Sequence, residues 1–239
     1  MVDVELDDGV AVITIDRPHA RNAISPATMD ELDKAIDVAA DARCLVIRGA
    51  GERAFISGGD LKELNAVRTE DEASAMAWKM RRICDRLASF PAPVLAALNG
   101  HALGGGAEVA VSADIRVAAD DIRIGFTQVT LAIMPAWGGA ERLAGLVGKG
   151  RALMLAGAGT VLDAAEAERI GLVDRVLPRA GFDAGWRALA RSLAGGAGRD
   201  IKRLTSGGVA PEEAVQAFVR LWVADAHWAA AERMMNRGK

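Results

Sequence analysis

The stretch Asn99-Gly100-His101-Ala102-Leu103-Gly104-Gly105-Gly106-Ala107-Glu108 constrains the fold of this chain more than any other. An apolar run from Val94 to Leu98 precedes it and reads as a short buried strand. Ala107 to Ala113 follows and reads as a short helix. Three glycines at a strand-to-helix junction keep side chains off the backbone where the helix dipole is positive, so N–H groups there stay open to an anion. Glu108, in the first helical turn, sets an ionisable carboxyl beside them. A tight packing turn followed by a helix-favouring Glu is the plainer alternative. What favours the anion site is company: Gly58-Gly59 lies upstream and Gly138-Gly139 downstream.

At 239 residues, 51% of them hydrophobic, the chain is long enough for one large domain or two small ones. A net charge of -3 gives no bias towards nucleic acid or an anionic membrane. The acidic N-terminus, Met1 to Asp8, lacks the features of a secretion signal, and no run approaches membrane-spanning length. Cys44 and Cys84 sit in apolar-patterned segments without metal-ligand spacing, which points to reduced core thiols and a cytoplasmic location. His19, His101 and His227 are too scattered for a metal site.

Val2 to Leu6 and Val10 to Ile15 alternate around Asp7-Asp8-Gly9 and predict a β-hairpin. A basic loop, Asp16 to Ile24, leads to Ser25 as N-cap and Pro26 as first residue of a helix to about Ala40. Cys44 to Arg48 reads as a strand, and Ala54-Phe55-Ile56 as a strand end before the Gly58-Gly59 turn, with Asp60 capping a short helix. A long helix, Glu70 to Ser89, stops before Pro91 and Pro93. Ile115 to Ala118 and Ile122 to Gly125 read as strands, Phe126 to Ile133 as irregular or one helical turn, and Glu141 to Val147 as helix. Strand, turn and helix recur about every 45 to 50 residues, which predicts stacked ββα units rather than one doubly wound sheet. Beyond Arg151 the pattern is mostly helical: Arg151 to Gly157, Asp163 to Gly171, Asp183 to Leu193 and Pro211 to Met235, with one strand at Val173 to Leu177. The division expected is a core over residues 1–180 and a helical region over 181–239. Its Trp222 and Trp228 are costly to expose, so that region is expected to pack on the core or on a neighbouring subunit.

Asn22-Ala23, Ala54 to Lys62, Asn99 to Glu108, Pro135-Ala136-Trp137-Gly138-Gly139 and Gly171-Leu172-Val173, in that order and spacing, resemble the enoyl-CoA hydratase/isomerase (crotonase) family. The resemblance implies an α/β spiral of ββα units with a C-terminal helical region, assembled as trimers or dimers of trimers. It implies acyl-CoA thioesters as substrates, with coenzyme A entering as part of the substrate and no separate cofactor. The family's oxyanion hole falls on the backbone N–H groups of Gly59 and Gly105, and its first catalytic glutamate on Glu108. Phosphates of coenzyme A are implied near His19, Arg21 and Lys62, the adenine near the backbone of Phe55 and Ser57, and further substrate contact at Ala23 and Trp137. Trp137 as a plain core aromatic, and the three basic side chains as solvated surface charges, stay open as alternatives.

The chain departs from the family at the second hydratase glutamate, where alignment through Gly125-Phe126-Thr127 places Gln128. An amide holds water but takes no proton from it at neutral pH. Three outcomes remain: hydration or double-bond migration by Glu108 alone, decarboxylation of an ethylmalonyl- or methylmalonyl-type thioester, or an acyl-CoA-binding protein without turnover. A P-loop is excluded by the missing Gly-Lys-Ser/Thr ending, a Rossmann site by the missing Gly-x-Gly-x-x-Gly. A serine hydrolase on Ser57 and His101 lacks the nucleophile-elbow pattern.

Overall fold

The computed structural model describes residues 1–236. Strands β1 (Val2–Asp7) and β2 (Val10–Ile15) form the opening hairpin. The loop after it holds Asn22 in the left-handed region (φ 57°), where its buried amide donates to the carbonyls of Ala50 and Ala54. Helix α1 (Pro26–Val38) starts where the sequence places it: Ser25 Oγ accepts the N–H of Thr28, a cap worth about 1 kcal/mol.

Then come β3 (Cys44–Gly49), β4 (Ala54–Ile56), the short α2 (Leu61–Leu64) capped by Asp60, and α3 (Glu70–Ala88), opened by a Thr69/Glu72 capping box. The next unit is β5 (Val94–Leu98), β6 (His101–Leu103) and α4 (Gly105–Ala110). The third has β7 (Ile115–Ala119), β8 (Arg123–Gly125), a 3-10 turn (Thr127–Leu131), α5 (Gly139–Val147) and α6 (Lys149–Ala158). The chain continues through β9 (Val161–Asp163), α7 (Ala164–Arg169), β10 (Arg175–Leu177), α8 (Phe182–Leu193), α9 (Gly198–Thr205), α10 (Pro211–Trp222) and α11 (Asp225–Asn236).

Two sheets result: six strands in the order β1-β2-β3-β5-β7-β10, and four in the order β4-β6-β8-β9. Each ββα unit gives its first strand to the larger sheet and its second to the smaller, so the chain winds as a spiral. From β2 through β7 the larger sheet is parallel and covered on both faces, which is why Leu45 to Ile47 and Val94 to Leu98 read as continuous apolar runs. The smaller sheet delivers β4 and β6 side by side, and with them the glycine turns that follow each.

Several sequence expectations need correction. Helix α4 begins at Gly105 and ends at Ala110, because the open glycine backbone itself enters the first turn. Strands β6 and β9 were not expected; at three residues each they are too short to show alternation. The spacing of about 50 residues holds from β3 to β5, but β7 follows β5 after a helix of only six residues. The expected helix from Pro211 to Met235 breaks between Trp222 and Asp225, and α9 lies in a stretch for which no helix was expected. Arg199 and Lys202 hold α9 to the core through the carbonyls of Ala42 and Ala92 and the carboxylate of Asp114. Packing on the core does not cover the region beyond, since Phe218, Trp222 and Trp228 remain 58%, 45% and 48% exposed. No helix among the described residues is long and apolar enough to cross a membrane.

Candidate active site

The two glycine turns meet at the ends of β4 and β6. Ile24 pairs with Gly59 in a parallel bridge: its N–H donates to Gly58 O and its carbonyl accepts from Asp60 N, both at 2.8 Å. This pins the residues on either side of Gly59 while the N–H of Gly59 itself has no acceptor among the described residues. Gly105 is the first residue of α4, and its N–H is equally free among the described residues, as the start of a helix requires. The turns lie side by side, for a Cβ placed on Gly58 would lie 3.6 Å from Gly105 N.

Glu108 is buried, with 2% of its surface exposed, and is held by three donors. Oε2 accepts the backbone N–H groups of Trp137 (2.7 Å) and Gly139 (3.0 Å), while Oε1 accepts the amide of Gln128 (2.8 Å). Since Gly139 opens α5, the carboxyl also faces the positive end of that helix. Burial nevertheless dominates and raises its pKa from 4.5 to about 7, against the lowering effect of the N–H groups of Gly139, Trp137, Gln128 and Ala136. A carboxyl poised there both accepts and donates a proton at neutral pH.

Close packing explains two of the glycines. A Cβ on Gly105 would lie 2.1 Å from Cζ3 of Trp137, whose ring lies over the start of α4. A Cβ on Gly139 would lie 2.3 Å from Cγ of Glu108. Trp137 is 8% exposed, so it is at once a buried aromatic and the wall beside Gly105.

The remaining residues singled out by sequence divide into two groups. Arg21 and Ser57 line one cavity of about 460 Å³ together with Arg53, His101 and Arg179. His19 and Lys62 are exposed and do not line it; Lys62 lies in α2, with its N–H on Asp60. Ala23 is buried and its carbonyl accepts Arg17 Nη1 at 2.6 Å. Phe55 is fully buried, with its carbonyl oxygen against Gly49. Ser57 and His101 line the same cavity, but Nδ1 of His101, the atom a triad acid would hold, accepts the N–H of Arg123 at 3.0 Å.

Sequence reasoning missed Arg17 and did not foresee the bond from Gly139 N–H to Glu108. Arg17 is buried, pairs with Asp60 (3.0 Å) and Glu63 (2.7 Å), and so ties the basic loop to α2. Asp60 is therefore more than a helix cap. Burial raises its pKa, and the Arg17 guanidinium and the cap N–H groups outweigh this to leave it below its ordinary value. The Pro18 that follows Arg17 marks a turn and says nothing of an ion pair 43 residues away; for Gly139, the helix-start signal was present but its partner was not.

The fold belongs to a known class. A solved enoyl-CoA hydratase from Bacillus anthracis superimposes with a TM-score of 0.83 at 33% identity, covering 95% of this chain and 91% of that one. The structure is a crotonase fold, as the sequence resemblance implied. The family model for enoyl-CoA hydratase/isomerase matches residues 5–220, and the chain belongs to that family. It is 41% identical over 179 residues to a short-chain-enoyl-CoA hydratase of Clostridium acetobutylicum, covering 74% of this chain and 68% of that protein. A crotonyl-CoA hydratase of Syntrophomonas wolfei is 38% identical over 180 residues, covering 73% and 68%.

Proposed function

We propose that this chain is an enoyl-CoA hydratase that works through an oxyanion-stabilised thioester enolate, with Glu108 as its single carboxylate proton carrier. The observation that carries the reading is the buried Glu108 carboxyl, held at a pKa of about 7 beside two glycine turns whose N–H groups are unoccupied among the described residues. Water attacks the β-carbon while Glu108 takes its proton, and the double-bond electrons move to the thioester oxygen. Gly59 and Gly105 N–H groups hold that charge; losing one such donor typically costs about 3 to 4 kcal/mol of barrier. Glu108 then returns the proton to the α-carbon and is regenerated.

Gln128 supports the single-base form. Its amide donates to Glu108 Oε1, and its own Oε1 is buried without a partner among the described residues, an acceptor suited to the second hydrogen of the attacking water. The same group allows double-bond migration, in which Glu108 moves a proton from C2 to C4.

Decarboxylation of an ethylmalonyl- or methylmalonyl-type thioester is the second reading. The neutral Gln128 favours it, because a second carboxylate there would repel the substrate's own. Loss of CO2 leaves the enolate of the saturated acyl thioester, its charge on the same oxygen, and Glu108 in its acid form protonates the α-carbon. Incubation with crotonyl-CoA, a 3-enoyl-CoA and ethylmalonyl-CoA, with products identified by mass, separates the three reactions. Acyl-CoA affinity without product from any of them supports a binding protein instead and refutes the enzymatic reading.

The cavity at Arg21 and Ser57 supports contact with the nucleotide end of coenzyme A. The exposed Phe218, Trp222 and Trp228 support a trimer or hexamer in which the C-terminal helices are covered by neighbouring copies. Buried, unpaired Cys44 and Cys84 support a cytoplasmic location.

A further inference from the structure

The turn from Pro135 to Gly139 is held from its far side by one cation. Arg142, four residues into α5 counting from Gly139, folds back so that Nη1 donates to the carbonyl of Trp137 at 3.1 Å, while its backbone N–H donates to Gly138 O at 3.2 Å. Its Nη2 pairs with Asp85 on α3. Trp137 is thereby fixed at both ends, N–H on Glu108 and C=O on Arg142. Gly138 has φ +90°, and a Cβ there would lie 2.2 Å from Arg142 Nη1, so the guanidinium sits directly on the turn.

Two ion pairs tie α5 to α3: Arg142 with Asp85, and Glu141 with Arg81, which also pairs with Asp85. They differ in what else they touch. Arg142 is 19% exposed and bonds the Trp137 carbonyl, whereas Glu141 is 63% exposed and has no bond to the turn among the described residues.

We propose that Arg142, oriented by Asp85, is a positioning residue for proton transfer at Glu108, acting through the Pro135–Gly139 turn. This rests on the reading of Glu108 as the proton carrier. The two N–H groups of the turn fill the lone pairs of Oε2, and Gln128 occupies one on Oε1, so the remaining lone pair on Oε1 is where the proton is exchanged. If the turn drifts, Oε2 loses its donors and burial acts on the carboxyl against the Gln128 amide alone. α3 carries Glu70, Asp71, Glu72, Lys79, Arg81, Arg82, Cys84, Asp85 and Arg86, α5 carries Glu141 and Arg142, and β6 carries His101; among these, Arg142 alone bonds the turn through its side chain.

The test compares Arg142→Met, Arg142→Lys, Asp85→Asn and Glu141→Gln, with Glu141→Gln as the control that cuts only the other ion pair. Arg142→Met is expected to lower kcat by up to about 100-fold, the cost of misplacing a reacting group by about 1 Å, with KM for the acyl-CoA changed less. It is also expected to raise the Glu108 inflection of the pH–rate profile. Asp85→Asn gives a smaller change in the same direction, Arg142→Lys restores part of kcat, and Glu141→Gln leaves both in place. The carboxyl of Glu108 is also titrated without turnover, from infrared difference spectra between the wild type and Glu108→Gln. Thermal unfolding of each variant shows whether a loss follows from a weakened fold. The proposal is overturned if Arg142→Met and Asp85→Asn shift the titration no further than Glu141→Gln does. If Glu108→Gln keeps full turnover, the proton-carrier reading falls instead.

Discussion

Replacing Gly139 by Ala tests the site through a single methyl group. The new Cβ would sit 2.3 Å from Glu108 Cγ and 2.9 Å from both its Cβ and Oε2. Carbon atoms in contact settle at about 3.5 to 4.0 Å, so the carboxyl has to withdraw by about an ångström. Its bonds to Trp137 N and Gly139 N, now 2.7 and 3.0 Å, then stretch beyond hydrogen-bonding range. Misplacing a reacting group by about 1 Å costs on the order of 100-fold in rate, and overpacking a buried position costs about 1 to 3 kcal/mol of stability. The expected result is a kcat lowered about 100-fold on whichever thioester is turned over, with a modest fall in unfolding midpoint and with acyl-CoA binding retained. Gly145→Ala is the control: it lies in the same helix with nothing within 4 Å of the added Cβ, and is expected to leave activity alone and stabilise by a few tenths of a kcal/mol. A Gly139→Ala protein with kcat within twofold of wild type would show that the carboxyl position is immaterial, and the mechanism built on it fails.

Glu108→Gln is expected to abolish turnover and keep acyl-CoA affinity by calorimetry; full activity removes Glu108 from the chemistry. The same variant has a signature in stability. The folded pKa of Glu108, about 7, lies above its unfolded value of 4.5, so the native state binds more protons between them and stability falls as pH rises through that window. Unfolding of the wild type is expected to weaken by about 3 kcal/mol from pH 4.5 to 8 through this group, and the dependence to vanish in Glu108→Gln; identical pH dependence in both proteins contradicts it. Gln128→Glu is expected to raise crotonyl-CoA hydration by supplying a second carboxylate beside Oε1 of Glu108, and an unchanged rate places position 128 outside the water site. Asn22→Ala removes two buried donors and leaves Ala50 O without that partner, while Ala54 O keeps Asn99; a loss of about 2 kcal/mol in urea unfolding is expected, and a loss below 0.5 kcal/mol argues against the anchoring role.

Much of this molecule is legible one segment at a time. Ser25 and Asp60 cap helices as their neighbours in sequence require, and Val94 to Leu98 forms a buried strand because parallel strands covered on both faces read as unbroken apolar runs. The glycines at 58, 59 and 104 to 106 mark turns where side chains would obstruct the backbone. Their spacing from Glu108 singled out that carboxyl without any tertiary contact in hand. Three-residue strands such as β6 escape this kind of reading, because alternation needs more length to show.

The state of the carboxyl was settled by distant parts of the chain. Gln128, Trp137 and Gly139 lie 20, 29 and 31 residues beyond Glu108, yet they supply every side-chain hydrogen bond it makes among the described residues. The Trp137 ring reaches back over Gly105, and Arg142 reaches across to Asp85 on α3. Periodicity and capping report what a residue does within one helix or strand. A carboxyl's proton affinity depends instead on how much water is removed from it and which donors face it, and both follow from the way the spiral closes α5 onto α4.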